Sequence, residues 1–394
     1  MQSKTVKLRS GKLGKHRPGH PWIYKKHLLK VDPSIKPGSI VGVIAPDGKK
    51  IGTGYYNSHS DISVRILTFV DEPVDKAFFI SRIAAAAAKR SGLAKLTDAY
   101  RAVFSEADGL PGLIIDMYGE TAVFQVLTLG MERFKETIVE CIDEALKAKY
   151  IYERSDSLYR KEEGLEERQG WWGEEGAPCV EIREGRAVFL VDIVSGHKTG
   201  FYLDQRSSRF AVEAISKGKE VLDLFCYTGG FAVHAALGGA KSVLCADIKE
   251  DWLILGRRNA ELSGVSAKVE FIKANSFEFL KNIYNSSRVF DIIIVDPPSF
   301  AKAKHSVAGA SKGYEELNLT AMRCLRPGGV LATFSCSHSM TNEIFSGILK
   351  KAAAKAVKKI TILKRCHQAE DHPIVRAIPE TEYLKGYFLK LDPQ

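Results

Sequence analysis

The chain of 394 residues contains no run of about 18 apolar residues, and its seven cysteines include no CxxC pair. The first absence excludes a membrane span. The odd number and irregular spacing of the cysteines argue against a disulfide framework or a metal site and favour a reducing, cytoplasmic setting. The first twenty residues are basic but lack an apolar segment, so we expect no secretory signal. With 45% hydrophobic and 26% charged residues, the chain has enough apolar material for several cores, which excludes disorder as its main state.

The net charge of +10 is concentrated at the start of the chain. Residues 1–65 hold 13 Lys and Arg against three acids, whereas the remaining residues hold 44 of each sign. A basic module beside a neutral body is typical of a protein that binds a polyanion, most often a nucleic acid. The alternative is a basic face that is only solvated.

Three regions with different patterns follow one another along the chain. Residues 1–70 read as short strands broken by Gly, Pro and Asp-Gly, which predicts a small β-barrel. Residues 71–180 combine an alanine-rich helix, strand-like runs and a second helix, which predicts a compact α+β domain without catalytic features. Residues 181–394 begin with a hairpin and then alternate strictly between apolar strands and helices, which predicts an α/β domain with a parallel, doubly wound sheet.

The basic region also carries aromatic rings. His20, Trp22 and Tyr24 lie among the charges and could stack on bases, or they could be core and rim aromatics of the barrel. The predicted phosphate contacts of this region are Arg9, Lys12, Lys15 and Arg17.

A glycine-containing loop follows the first strand of the α/β domain. The segment DLFCYTGGF, residues 223–231, lets the backbone turn tightly at Gly229 and Gly230 and approach a ligand. The next strand ends at Asp247, 24 residues after Asp223, and an acid at this distance commonly binds ribose hydroxyls. Because the loop lacks GxGxxG, a nucleoside ligand fits better than a dinucleotide.

The fourth strand of this domain ends in DPPSF, residues 296–300. Two prolines after a buried strand make a stiff, extended loop, and the Asp296 carboxylate at the strand tip suits a planar, amino-bearing base. A simple strand-ending turn is the alternative. The next strand, in LRPGGVLATFSCSH, places Cys336 at its end.

Together these motifs resemble class I S-adenosylmethionine-dependent methyltransferases. The likeness extends upstream to GHKTGFYLDQRSSR (196–209) and downstream to AEDHPIVRAIPETEYLKG (369–386). With the basic N-terminal barrel, similar to a PUA domain, and ADGLPGLIIDMYG in the middle, it covers essentially the whole chain. The chain is most similar to the RlmI-like family of ribosomal RNA cytosine-C5 methyltransferases, which implies a Rossmann-like seven-stranded sheet, S-adenosylmethionine as cofactor and RNA as partner.

The resemblance also implies roles for single residues. Cys336 would be the nucleophile, and Asp296 would hold the base beside Pro297, Pro298 and Phe300. At the adenine the family often carries Asp where this chain has Asn275 and Ser276, and an amide oxygen can still accept that hydrogen bond. The implied cofactor contacts are Phe201, Asp204, Gln205, Arg206, Asp223, Phe225, Tyr227, Gly229, Phe231, Asp247, Ile248, Asn275, Ser276 and Asp296.

Two other functions remain open at this stage. An exocyclic or ring-nitrogen methyltransferase would use a similar DPP loop but would need no cysteine nucleophile, so Cys336 discriminates between the two reactions. A non-catalytic RNA-binding protein would have no need for an intact glycine loop. The sequence leaves open the target nucleotide, a homodimeric state and the group that removes the C5 proton. Candidates for that group are Glu370, Asp371, His372 and Glu382.

Overall fold

The computed structural model describes residues 4–10, 19–300 and 307–392. The described chain folds into two compact units. Unit 1 comprises Met1–Ile182, Val191–Leu203 and Glu370–Thr381, and unit 2 comprises Arg183–Leu190, Asp204–Ala369 and Glu382–Gln394. The boundaries 1–70, 71–180 and 181–394 stay a prediction. No helix of the described residues is long and apolar enough to cross a membrane.

Unit 1 begins with a five-stranded sheet in the order β1-β3-β4-β5-β2. Only the β1–β3 pair is parallel. Alternating apolar residues such as Val41, Val43, Val64 and Ile66 fill its small core, as the period-two pattern predicts. The strands are β1 (Thr5–Lys7), β2 (Trp22–Ile23), β3 (Ile40–Ile44), β4 (Lys50–Tyr56) and β5 (Val64–Thr68).

A second five-stranded sheet, in the order β10-β9-β8-β7-β6, completes unit 1. Two helices pack on it through Phe79, Ile83, Ile138 and Ile142. The α+β prediction is confirmed, although the second predicted helix is broken into α2 and α3, and β9 and β10 were not predicted as strands. The elements are α1 (Lys76–Ala88), β6 (Ala99–Phe104), β7 (Leu113–Tyr118), β8 (Thr121–Val126), α2 (Leu129–Glu132), α3 (Lys135–Leu146), β9 (Tyr150–Ser155), α4 (Tyr159–Glu162) and β10 (Arg168–Trp172).

Buried polar contacts join the first sheet to Glu163, the residue that follows α4. Arg65 of β5 forms a 2.7 Å ion pair with Glu163, and both side chains are buried. The Asn57 amide donates a 2.8 Å hydrogen bond to the same carboxylate. Because removing one partner of a buried ion pair leaves the other charge uncompensated, loss of Arg65 would destabilise the segment around Glu163.

Unit 2 contains a seven-stranded sheet in the order β15-β14-β13-β16-β17-β19-β18. The predicted hairpin precedes it as a separate two-stranded sheet, β11-β12. The elements from the hairpin onward are β11 (Cys179–Glu184), β12 (Ala187–Asp192), α5 (Arg206–Ile215), β13 (Glu220–Leu224), α6 (Gly230–Leu237), β14 (Ser242–Asp247), α7 (Glu250–Leu262), β15 (Val269–Lys273), α8 (Ser276–Asn285), β16 (Phe290–Val295), α9 (Val307–Arg323), β17 (Leu325–Ser335), α10 (Asn342–Ala356), β18 (Ile360–Cys366) and β19 (Lys385–Leu391).

The predicted seven-stranded sheet is confirmed, but one strand departs from the predicted parallel arrangement. β15, β14, β13, β16 and β17 are parallel, but β19 lies antiparallel between β17 and β18. A parallel neighbour requires a crossover, usually a helix, and the segment between β18 and β19 contains no α-helix. The carboxyl ends of β13, β14, β16 and β17 therefore share one edge of the sheet, to which β19 brings its amino end.

Candidate active site

The loop after β13 has an unusual backbone conformation. Phe225, Tyr227 and Gly229 all have φ between 50° and 78°, the left-handed region. Such conformations are strained for residues other than glycine and persist only where the surrounding structure holds them. The Asn259 amide supplies part of this support through a 3.0 Å hydrogen bond to the Thr228 carbonyl. The loop is thereby held in a fixed shape at the edge of the sheet, and α6 begins directly after it.

Asp247 at the end of β14 forms hydrogen bonds with the loop after β13 and with the residue that follows it. Its carboxylate accepts hydrogen bonds of 2.9 Å from the Tyr227 N–H and 2.6 Å from the Ile248 N–H. Ile248 is 58% exposed, so its side chain is accessible to a planar ligand. The acid and the apolar side chain predicted for nucleoside binding are thus neighbours beside the strained loop.

Asp223 is a buried carboxylate without compensation. It is 1% exposed, and neither of its oxygens has a hydrogen-bond partner among the described residues. Burial raises the pKa of Asp223 well above its ordinary value, the charges of Asp296 and Asp247 raise it further, and the backbone N–H of Ala232 acts in the opposite direction without outweighing them. An unpaired buried carboxylate is costly. Three acids that influence one another at this edge make an environment suited to a cationic ligand.

Asp296 follows β16 and is half-buried. It accepts a 3.0 Å hydrogen bond from the side-chain amide of Gln205, so two of the predicted contact residues lie together. Pro297 is buried and Pro298 is exposed. The Phe300 ring packs on Tyr314 at a centroid distance of 4.8 Å, so this predicted substrate contact also belongs to the wall of the core.

Cys336 directly follows β17 and is half-buried. The register of β16 and β17 pairs Val295 with Thr333, which places the ends of the two strands, and hence Asp296 and Cys336, at the same edge. Tyr314 of α9 is fully buried nearby. Burial raises the pKa of Tyr314, and the charges of Cys336 and Asp296 act in the same direction. Four other cysteines, Cys141, Cys226, Cys245 and Cys324, are buried.

Other predicted cofactor residues of unit 2 have identified partners. Asp204 accepts a 2.6 Å hydrogen bond from the Tyr383 hydroxyl. Arg206 is fully buried, with its Nε 3.6 Å from Glu184. Phe231 of α6 stacks on Phe334 at 5.4 Å.

The predicted adenine contacts lie at the start of α8. The Asn275 side chain accepts a 3.0 Å hydrogen bond from the Phe277 N–H, so it caps this helix. The Ser276 hydroxyl accepts a 3.3 Å hydrogen bond from the Phe225 N–H and so supports the strained loop. The described contacts thus give both residues a structural role, and their contact with adenine stays a prediction.

Several residues predicted to contact the cofactor or RNA belong to unit 1. Phe201 is buried, and its N–H donates a 3.3 Å hydrogen bond to the Tyr118 hydroxyl. Arg9 is exposed and donates a 2.6 Å hydrogen bond to the Leu28 carbonyl. Lys12, Lys15 and Arg17 lie outside the described residues. The Trp22 indole N–H donates a 2.8 Å hydrogen bond to Glu106, which supports the interpretation of Trp22 as a rim aromatic.

The four candidate proton acceptors have different surroundings. Asp371 is buried and accepts a 2.9 Å hydrogen bond from the Arg101 N–H. His372 is buried with its Nδ1 3.1 Å from Asp371. Glu370 and Glu382 are exposed, and Glu382 accepts a 3.2 Å hydrogen bond from the Asn342 amide. These contacts give Asp371 and His372 a structural role in unit 1.

Sequence reasoning missed Lys385 and Tyr383. Lys385 is 3% exposed and begins β19, the strand that departs from the predicted parallel arrangement. The sequence did contain an indication of Lys385. In the segment YLKGYFLKL, residues 383–391, this lysine occupies a strand position that should be apolar, and a buried lysine requires a partner.

Comparisons with known proteins show two family matches and several similar structures. Residues 6–69 match a PUA-like domain family, and residues 157–382 match a family described as S-adenosylmethionine-dependent methyltransferase. A solved methyltransferase structure in complex with SAH has a TM-score of 0.85 at 25% identity, covering 99% of this chain and 100% of that chain. A protein described as a SAM-dependent methyltransferase from Streptococcus mutans has a TM-score of 0.84 at 24% identity over 98% of this chain and 100% of its own, which shows the fold.

Two curated relatives carry the name ribosomal RNA large subunit methyltransferase I. The Vibrio cholerae protein is 42% identical over 95% of this chain and 96% of its own length. The Aeromonas hydrophila protein is 43% identical over 94% and 95%. The fold and the site define an S-adenosylmethionine-dependent methyltransferase. Within that class, the chain belongs to the ribosomal RNA large subunit methyltransferase I family.

The site fits this cofactor on physical grounds. S-adenosylmethionine carries a sulfonium and an ammonium cation, and Asp223 is a buried carboxylate whose oxygens have no hydrogen-bond partner among the described residues. At Gly229 a Cβ atom would lie 2.9 Å from the Phe271 ring, so the loop has no room for a side chain. Asp223 and Gly229 would hold the methionine part, and Asp247 with Ile248 would hold the nucleoside.

Proposed function

We propose that this protein methylates C5 of a cytosine in large-subunit ribosomal RNA, with Cys336 as the nucleophile. The identity of 42–43% over nearly the whole chain to two enzymes of that name supports the RNA substrate. The observation that carries the reaction is the position of Cys336, half-buried at the carboxyl end of β17, beside the strand that ends in Asp296. An enzyme that acts on ribosomal RNA is expected to work in the cytoplasm.

A cysteine at this position supplies the activation that the reaction requires. Cytosine C5 is too electron-poor to take a methyl group unaided. The Cys336 thiolate adds to C6, the electron pair of the C5–C6 double bond moves to C5, and C5 becomes enamine-like. When bound, S-adenosylmethionine supplies an electrophilic methyl group. After C5 has accepted it, a base removes the C5 proton, the double bond re-forms, and the thiolate leaves from C6.

The other residues of the site would orient the base and exclude competing positions. Asp296, fixed by Gln205, would accept a hydrogen bond from the amino edge of cytosine. Pro297 and Pro298 hold this carboxylate on a stiff backbone. In unit 1, exposed cations of the first sheet would contact phosphates, which positions an RNA without reading its sequence.

The test is covalent trapping on a large-subunit ribosomal RNA fragment that contains 5-fluorocytosine. Fluorine at C5 blocks proton loss after methyl transfer, so the wild type is expected to form a denaturation-resistant adduct that contains Cys336. The Cys336→Ala variant is expected to bind the cofactor normally, form no adduct and give no 5-methylcytosine by bisulfite mapping. Cys366→Ala, a half-buried cysteine on β18, is the matched control and should behave as wild type. Normal C5 methylation by Cys336→Ala would contradict the mechanism and favour a nitrogen acceptor.

A further inference from the structure

A buried lysine lies beside the turn that carries Cys336. Lys385, the first residue of β19, is 3% exposed and pairs across the sheet with Ser335, the residue before Cys336. Its ammonium donates hydrogen bonds of 2.7 Å to the carbonyl of Ser337 and 2.8 Å to that of Tyr383. Lys385 therefore contacts both neighbours of Cys336, Ser335 through the pairing of the strands and Ser337 through its side chain.

This ammonium lacks the usual compensation for a buried charge. Among the described residues, its hydrogen bonds go to carbonyl oxygens and not to a carboxylate, whereas buried lysines are normally paired. Burial lowers the pKa of Lys385 to about 8, while Cys336 and, at longer range, Glu382 act in the opposite direction. Two carbonyl oxygens satisfy two of the three N–H donors but do not neutralise the charge.

We propose that Lys385 is a positioning residue that holds Cys336 as a thiolate and fixes the turn on which it lies. This inference rests on the proposed role of Cys336 as the nucleophile. The Cys336 thiol releases its proton to solvent, the sulfur keeps the electron pair, and the ammonium stays protonated as its counter-ion. A positive charge near a thiol favours the ionised form, which is the nucleophile.

A purely structural role would be the alternative. Capping two carbonyls stabilises the turn but does not by itself change the ionisation of the thiol. The two roles differ in one measurable property, which is the pH at which Cys336 becomes reactive.

The experiment measures alkylation of Cys336 by iodoacetamide against pH, by peptide mass spectrometry on the full-length protein. In the wild type the reactivity midpoint should lie below the ordinary thiol value of about 8.5. In Lys385→Met it should rise by about one unit, which slows alkylation near neutral pH about tenfold. Lys385→Arg keeps the charge and should restore most of the reactivity. Lys390→Met, an exposed lysine on the same strand, should leave the midpoint unchanged.

Each result of the alkylation experiment supports or overturns the proposed role of Lys385. An unchanged midpoint in a folded Lys385→Met protein that still binds SAH would overturn it. If Lys385→Met does not fold, the wild-type measurement tests the proposal by itself. A reactivity midpoint of Cys336 at or above about pH 8.5 would show that the thiolate is not stabilised. These readouts need no RNA, so they separate this inference from the proposed reaction. A wild-type thiolate together with a methylating Cys336→Ala variant would refute the reaction and leave the Lys385 effect intact.

Discussion

The side-chain amide of Gln205 donates a 3.0 Å hydrogen bond to Asp296 Oδ2 and so joins residues 91 positions apart in the chain. Gln205 precedes α5, and Asp296 follows β16. The other side-chain atom, Gln205 Oε1, is buried and has no partner among the described residues, so it can accept a hydrogen bond from a ligand. The pair fixes the orientation of the carboxylate at the edge of the sheet where Cys336 lies.

We expect Gln205→Glu to impair methyl transfer more than cofactor binding. The change replaces a donor to Asp296 by a second negative charge, in a region where Asp296 already raises the pKa of Asp223. We expect kcat to fall by one to two orders of magnitude, as is usual when a positioned polar contact is lost. Methyl transfer to a ribosomal RNA fragment and calorimetry with SAH check the two effects.

A matched control exists in unit 1. Gln169 donates a 2.7 Å hydrogen bond to Asp156 at an exposed position, so Gln169→Glu introduces the same change away from the site. Equal losses of activity in both variants would contradict the assigned role of Gln205.

Strand topology made much of this site predictable. Asp223, Asp247, Asp296 and Cys336 all follow strands, and in a parallel sheet such positions meet at one edge. Lys385 and Tyr383 were not predictable in the same way, because β19 runs antiparallel between β17 and β18. The apolar pattern shows that β19 is a strand but does not show its direction. Local contacts cannot be predicted from spacing either: Arg206 lies near Glu184, which the sequence did not indicate, and its contact with the cofactor stays a prediction.

Replacing Asp223 by Asn should stabilise the ligand-free protein while weakening cofactor binding. The raised pKa of Asp223 means that folding favours its protonated form. Wild-type stability should therefore decrease as pH rises from about 3.9, the ordinary carboxyl value, towards the higher folded value. Asn removes this dependence and should add about 1–3 kcal/mol at neutral pH. SAM affinity should fall at least about tenfold, because the cation loses its counter-charge.

Urea unfolding at several pH values and calorimetry measure both effects. Asp251→Asn, at an exposed position at the start of α7, is the control. Unchanged SAM affinity in Asp223→Asn would remove this carboxylate from the cofactor site.

Gly229→Ala should weaken cofactor binding more than a comparable glycine substitution elsewhere. Gly229 has φ +78°, and its added Cβ would lie 2.9 Å from the Phe271 ring. Gly264 has φ +69° with no atom within 4 Å of an added Cβ, so Gly264→Ala carries similar backbone strain without the clash. Both variants should lose about 1 kcal/mol of stability from backbone strain, Gly229→Ala should lose more because of the clash, and only Gly229→Ala should lose SAM affinity. Calorimetry on the two variants makes the comparison, and equal affinities would place the cofactor elsewhere.

A buried charge cluster in unit 2 should make stability depend on pH. Glu184 is fully buried and lies within 3.1 Å of both Arg209 and His234. Burial opposes the charge on His234, but hydrogen bonds to Glu184 and Glu213 outweigh it and raise the pKa of His234. Burial likewise raises the pKa of Glu184, but Arg209 and His234 outweigh this and lower it.

The sign of the effect follows from these directions. The contribution of His234 is fully present below about pH 6.5, the unfolded value, and is lost as pH rises through the raised folded value. His234→Gln should therefore lower the free energy of unfolding at pH 6 by about 1–3 kcal/mol and by less at pH 8. Urea unfolding at the two pH values checks this, with the exposed His59→Gln as control. An equal loss at both values would show that the imidazole is neutral in the folded state.

The final prediction concerns the basic residues of the first sheet. Deleting residues 1–70 is a poor test, since Glu163 would lose Arg65 inside unit 1. The triple change of the exposed Lys7, Lys26 and Lys30 to Gln avoids this problem. If these side chains contact phosphates, the dependence of log affinity on log salt should flatten by somewhat less than one for each lost contact.

The control neutralises three exposed lysines outside the first sheet, Lys95, Lys219 and Lys281. Both triple variants lower the net charge equally, so a general charge effect would change both slopes alike. If the phosphates bind only to the first sheet, the salt dependence changes only in the variant of Lys7, Lys26 and Lys30. Affinity for a ribosomal RNA fragment, measured at several salt concentrations, separates the two cases, and cofactor affinity should be unchanged in both proteins. Identical slopes would show that the basic face of the first sheet is only solvated.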